Sequence, residues 1–307
     1  MASAVPPGTE PSRIAQLVEL VGSAPPPSGR RTNVPGRGRM FVRSQRGPAD
    51  RPLVVLLHGW IASAGLNWFR VFQELRSHYS VIAPDLRGHG RGTRGWRRFR
   101  LRDCADDVAA LIRRRRRGRG VIVAGYSMGG PVAQLLWRRH PDVVDGLVLA
   151  ATSGRPMRNA GIGLTLAGVM EGAALAGRAV QLRGLLARAD FDKAAVDGSL
   201  SRERPVRLPS WARDEMARHS WRHLLEAGAE LGRYDATDWL HEIDVPTSVV
   251  LTRSDNAIPP AHQESLAERV RGARVYEVEA GHLAFARRSF GKATRQAIDS
   301  VAKRGRL

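Results

Sequence analysis

Gly125-Tyr126-Ser127-Met128-Gly129 constrains this chain more than any other stretch. It follows an apolar run, Val121-Ile122-Val123-Ala124, and precedes a helical pattern over residues 131–140. That order predicts a serine on a sharp turn between a strand and a helix. Such a turn holds its central residue in a strained backbone conformation and lifts the hydroxyl towards a cleft. Glycine is required two positions either side, because a Cβ would collide where the chain doubles back. The helix that follows aims free N–H groups and its positive dipole end at the serine, which suits an oxyanion.

On both sides of this turn, short apolar runs alternate with helical patterns. Strands are expected at 40–42, 53–57, 81–83, 121–124 and 146–150, with helices at 66–77, 103–114 and after Ser127. The unbroken run Leu53-Val54-Val55-Leu56-Leu57 fits a strand inside a parallel sheet covered on both faces. The fold class is therefore α/β, a mostly parallel sheet flanked by helices. Between about residues 155 and 235 the alternation stops. That stretch is Ala/Leu/Gly-rich and helical over 162–186, with a second helical part carrying Trp211, Met216, Trp221 and Leu225. Strands resume at 248–251 and 273–278, and a last helix is expected over 285–301. The expected organisation is one α/β core, residues 34–154 and 236–307, with a helical insertion at 155–235. Residues 1–33 are Pro/Gly/Ser-rich and read as a partly disordered extension with a helix candidate at 14–21.

The formal charge is +20, from 49 basic and 29 acidic residues. The densest run, Arg113 to Arg117 with Arg119, sits where a helix ends, a place that favours cations. Aromatic residues do not interleave it, as single-strand nucleic-acid binding would favour, so no nucleic-acid partner is expected. Peripheral contact with an anionic membrane stays open on this charge. The lone cysteine, Cys104, excludes an intramolecular disulfide. It shares a helical face with Leu101, Val108, Leu111 and Ile112, so a buried structural thiol is expected. The apolar stretch at 14–21 is broken by Glu19 and is too short for a signal peptide or a span. A cytoplasmic enzyme is the expectation.

A serine hydroxyl is a weak nucleophile until a base takes its proton, and the base needs an orienting carboxylate. His282, in Glu279-Ala280-Gly281-His282-Leu283, follows the last expected strand. Asp255, in Thr252-Arg253-Ser254-Asp255, follows the strand before it. Both stand where open parallel sheets gather their reactive groups. His58, Asp85 and Arg87 read as structural, and Asp103, Asp106 and Asp107 as a solvated helix face. His219 and His223 fall four apart on one helical face without ligand partners. No metal-ligand spacing occurs among the histidines, and Gly36-Arg37-Gly38 lacks the strand–helix setting of a dinucleotide loop, so no cofactor is expected.

The order Ser…Asp…His, together with His58-Gly59-Trp60, Asp85-Leu86-Arg87-Gly88-His89-Gly90 and the serine turn, resembles the α/β-hydrolase superfamily over about residues 35–154 and 236–307. The resemblance implies an α/β-hydrolase fold with a helical cap after the sixth strand, where the insertion falls. It implies a catalytic triad of Ser127, His282 and Asp255, and an oxyanion hole from the backbone N–H groups of Trp60 and Met128. Epoxide hydrolases and haloalkane dehalogenases of the superfamily carry aspartate at the turn. Serine there implies attack on a carbonyl and an acyl-enzyme. A small-molecule carboxylic ester is the expected substrate, and the Leu/Ala-rich insertion suggests an apolar acyl group. A perhydrolase or non-haem haloperoxidase, a lactonase or a C–C bond hydrolase would use the same residues. A ligand-binding protein would need only the pocket.

Overall fold

The computed structural model describes residues 24–156, 165, 167–172, 174–175 and 209–307. Its strands are β1 (Gly29–Val34), β2 (Gly38–Gln45), β3 (Leu53–Leu57), β4 (Ser80–Pro84), β5 (Val121–Tyr126), β6 (Gly146–Ala150), β7 (Thr247–Thr252) and β8 (Arg274–Val278). They form one eight-stranded sheet in the order β1-β2-β4-β3-β5-β6-β7-β8. The β1–β2 and β2–β4 pairs are antiparallel, and all other pairs are parallel.

Both faces of the central strands are covered, which is why their sequences are apolar without alternation. Val55, Leu57, Val123, Leu147 and Leu149 point into one core layer, with α2 (Leu101–Arg115) and α3 (Gly129–Arg139). Val54, Leu56, Ile122, Ala124 and Val148 point into the other, with α1 (Ala64–Glu74) and α7 (Arg288–Gly305). In that second layer Trp68 is wholly buried and meets Tyr126 edge-on, ring centres 6.1 Å apart. Helix α1 begins at Ala64 because the Ser63 hydroxyl accepts the N–H of Leu66 at 3.2 Å. Cys104 is fully buried on α2, and burial holds its thiol protonated.

Strand β1 begins within the stretch 1–33 expected to be a partly disordered extension, so the described sheet starts at Gly29, ahead of the expected core boundary at 34. Its sequence, GRRTNV, buries only Thr32 and Val34. An edge strand solvated on one side needs no apolar run, and the glycines at the turn, Gly36 and Gly38, take positive φ of 72° and 84°. The expected helix at 14–21 lies outside the described residues.

Between β6 and β7 the described residues contain helix but no strand. They include helical residues among 165–175, then α4 (Ser210–Met216) and α5 (Trp221–Arg233). The rest of the expected helical stretch at 162–186 lies outside the described residues. Helix α6 (Pro260–Arg269) follows β7. No described helix is long and apolar enough to cross a membrane.

Two polar expectations change. Asp107 is not solvated: it is buried on α2, where both its oxygens accept from the Arg87 guanidinium. His219 precedes α5 rather than sharing a helical face with His223. Its Nδ1 accepts the N–H of Gly90 at 3.1 Å.

Candidate active site

Ser127 stands between β5 and α3 with φ of +51°, in the left-handed region that costs a non-glycine residue about 1–3 kcal/mol. The neighbouring backbone holds it there. Its N–H donates to the Ala150 carbonyl at 3.0 Å, and its carbonyl accepts the Thr152 hydroxyl at 2.9 Å. A Cβ on Gly125 would stand 2.2 Å from the Gly129 carbonyl oxygen, and one on Gly129 would stand 2.2 Å from that of Leu57. The turn therefore closes only with glycine at both positions.

His282, in the loop after β8, places Nε2 2.9 Å from Ser127 Oγ. Its Nδ1 lies 2.8 Å from Asp255 Oδ2. Asp255, in the turn after β7, is buried, and its other oxygen accepts the backbone N–H groups of Ala257 and Ile258, each at 2.9 Å. With Oδ1 occupied by two amides, Oδ2 faces the imidazole. A carboxylate there requires the proton on Nδ1, which leaves Nε2 free to accept from the serine. The three side chains expected from sequence thus form one continuous relay.

Four contributors to this geometry carried no sequence signal. Thr252 donates its hydroxyl to Asp255 Oδ2 at 2.8 Å. Gln263, fully buried on α6, donates to the Thr252 hydroxyl at 2.8 Å and to the Ile258 carbonyl at 2.7 Å. The Tyr126 hydroxyl donates to the His282 carbonyl, tying the loop of the base to the strand of the nucleophile. Asn67, on α1, accepts the N–H of Gly59 at 2.6 Å.

The loop after β3 approaches Ser127 closely: a Cβ on Gly59 would stand 3.2 Å from the serine Cβ. His58 is wholly buried. Its Nε2 accepts the N–H of Leu86 at 2.9 Å, and its Nδ1 lies 2.8 Å from the Gly59 carbonyl, to which it donates. In a trans peptide the N–H points opposite to the carbonyl, so this bond turns the Trp60 N–H away from His58. Among the described residues, neither the Trp60 N–H nor the Met128 N–H donates a hydrogen bond. The Trp60 indole reaches the other way, donating to the Leu224 carbonyl of α5 at 2.9 Å. A Cβ on Gly228 of that helix would meet both Met170 and the Trp60 ring, at 2.4 and 2.8 Å, so the strut fits only beside glycine.

Burial pushes His58 down to about 4 from 6.5. The folded protein therefore keeps it neutral where the unfolded chain would protonate it. The resulting stability is complete above pH 6.5 and is lost as pH falls towards 4. A shift of this size corresponds to about 3 kcal/mol. Asp85, raised by burial to about 6, acts in the opposite sense, since its ionised form costs stability above that pH. Chemical unfolding near neutral and near pH 4.5 should show a loss in the native chain that exceeds the loss in His58→Gln by about 2–3 kcal/mol. Equal losses would show that His58 is not held neutral.

The comparisons with known proteins agree with this fold. Residues 52–288 match the family defined by the alpha/beta hydrolase fold. This chain is an α/β-hydrolase. The hydrolase is 30% identical over 238 residues to a pimeloyl-[acyl-carrier protein] methyl ester esterase of Neisseria meningitidis serogroup B, the match spanning 76% of this chain and 86% of the relative. A relative of the same name from Sodalis glossinidius is 40% identical over 112 residues, 36% of this chain and 39% of the relative. Among solved structures, an esterase from Exiguobacterium antarcticum superposes with a TM-score of 0.69 at 22% identity, covering 89% of the hydrolase and all of that chain. A hydrolase from Pseudomonas aeruginosa gives 0.66 at 24% identity, covering 88% and 97%. At such identities the two structures speak for the fold alone.

Proposed function

We propose that this α/β-hydrolase cleaves a carboxylic ester through an acyl-enzyme. The relay Ser127–His282–Asp255 carries the reading. As Ser127 Oγ attacks the ester carbonyl carbon, its proton passes to His282 Nε2. The carbonyl oxygen becomes an oxyanion and takes the two unpaired N–H groups, of Trp60 and Met128. Asp255 stabilises the imidazolium that forms. Collapse breaks the bond to the alcohol oxygen, which leaves with the proton from Nε2. Water then attacks the acyl-enzyme, giving its proton to Nε2, and the acid departs as Ser127 recovers its hydrogen. No metal or redox partner enters this cycle.

In this reading residues 155–235 form a helical cap, and residues 34–154 and 236–307 the catalytic core to which β1 is added. The Trp60 indole joins the oxyanion loop to the cap helix α5. The substrate class is a small-molecule ester: the methyl ester esterases among its relatives support a small alcohol group, and the Leu/Ala-rich stretch at 162–186 supports an apolar acyl chain. A cytoplasmic enzyme with reversible contact to anionic membrane belongs to the same reading, supported by the charge of +20.

The test is turnover of methyl and p-nitrophenyl esters across short to long acyl chains. Turnover with a chain-length optimum is expected, and the optimum measures the acyl site. A folded protein that hydrolyses none of them would refute the ester reading and point to lactone or C–C bond chemistry.

A further inference from the structure

We propose that residues 91–102, the start of α5 and the helical residues among 165–175 form a face that docks on an anionic lipid bilayer. The charge comes first. Segment 91–102 holds Arg91, Arg94, Arg97, Arg98, Arg100 and Arg102. Arg91 pairs with Glu215, and Arg98 with Glu171. Arg94 and Arg97 are exposed and have no ion pair among the described residues. A groove of about 420 Å³ is lined by Arg31, Gly90, Arg91, Gly92, Arg94 and Arg218, with no carboxylate in its wall. The cleft on the other side of the segment, about 680 Å³, is different: Glu171, Glu230 and Asp235 line it beside its arginines. Of the exposed cations without an ion pair, Arg94 lines the groove and Arg97 lines neither cleft, while Arg98, Arg100 and Arg102 line the cleft that holds carboxylates. Guanidinium forks grip phosphate oxygens in pairs and shed water more readily than ammonium groups do.

The apolar groups come second. Among the described residues the large hydrophobic side chains left exposed are Ile61, Trp96, Val169, Leu175, Trp221 and Val275. All but Val275, on the edge strand β8, sit on connected elements. Arg222 donates to the carbonyls of Gly95 and Trp96, which brings Trp96, 68% exposed, beside the helix start that carries Trp221, 57% exposed. Glu171 pairs with Arg98 and Arg233, which fixes the helical residues bearing Val169 and Leu175 against the same segment. Ile61 follows Trp60 in the loop beside Ser127. Indoles at the headgroup level, aliphatic side chains below them and cations around them match a bilayer interface. An acidic protein would match the cations alone.

The inference rests on the ester reading only for its consequence, that an apolar ester dissolved in lipid is met at the mouth of the site. Its test uses binding rather than turnover. The full chain is sedimented with vesicles of phosphatidylcholine, with and without phosphatidylglycerol, at low and at high salt. Binding is expected only with phosphatidylglycerol, and high salt should weaken it by screening. Each arginine near an anionic surface multiplies partitioning about fivefold, so Arg94→Gln/Arg97→Gln should lower it about thirtyfold. Arg114→Gln/Arg117→Gln removes the same charge from the far end of α2 and should change it less than threefold. Trp96→Ala/Trp221→Ala should lose the binding that survives high salt, with circular dichroism reporting that each variant folds. No sedimentation of the native chain, equal loss in both arginine pairs, or binding to soluble polyglutamate but not to vesicles would each overturn the proposal. Vesicle binding by a chain that hydrolyses no ester would instead sink the ester reading and leave the face standing.

Discussion

Replacing Ser127 with alanine is expected to lower kcat for ester hydrolysis by about a million-fold, with the fold intact. Among the described residues the hydroxyl makes one hydrogen bond, with His282 at 2.9 Å, so its loss leaves the turn, the His282–Asp255 pair and the unpaired amides in place. Without it no acyl-enzyme forms, and the base has only water to activate. Substrate binding and the N–H groups of Trp60 and Met128 would still favour the oxyanion, leaving a residual rate about 10³–10⁴ above the uncatalysed reaction. Initial rates at saturating ester, with an unfolding midpoint beside them, check this. A variant that keeps a tenth of native turnover would remove Ser127 from the mechanism.

Asp255→Asn is expected to cost about 10⁴ in kcat, through the proton on His282 rather than through lost contact. The N–H groups of Ala257 and Ile258 require an oxygen opposite them, so the new amide oxygen takes the Oδ1 position. The amide nitrogen then faces His282 Nδ1, where Oδ2 now stands at 2.8 Å. A donor at that place demands an unprotonated Nδ1, and the imidazole moves its proton to Nε2. Nε2 then offers a hydrogen to Ser127 Oγ instead of accepting one. Thr252 tolerates the change, because its hydroxyl can turn from donor to acceptor. The loss should therefore appear in kcat while KM changes little. Steady-state rates over a range of ester concentrations separate the two. A loss confined to KM would mean that Asp255 shapes the pocket instead of setting the tautomer.

The residues that the site brings together were legible because each ends a strand. Ser127, Asp255 and His282 follow β5, β7 and β8, whose apolar runs mark them in the sequence. The turn also needs glycine at fixed places, which few other structures demand. The supporting residues were not legible. Asn67 and Gln263 sit on helices α1 and α6, where a polar side chain reads as solvent-facing. Only the packed fold shows them turned inward, at 2% and 0% exposure. Asp107 misled for the same reason, since the Arg87 that neutralises it comes from a distant loop. Strand β1 was hidden because an edge strand buries few side chains, and its pairing with β2 is made by backbone groups. The Trp60 indole carried no sign of its partner, as the Leu224 carbonyl is a backbone group on a helix over 160 positions away.

Covalent labelling tests the central claim most directly. The native chain is treated with a fluorophosphonate, which phosphonylates only an activated serine, and the modified peptide is located by mass spectrometry. The relay predicts a single adduct, on Ser127, formed together with loss of ester turnover and strongly slowed in Asp255→Asn. An unlabelled Ser127, or an adduct on another residue while turnover disappears, would contradict it.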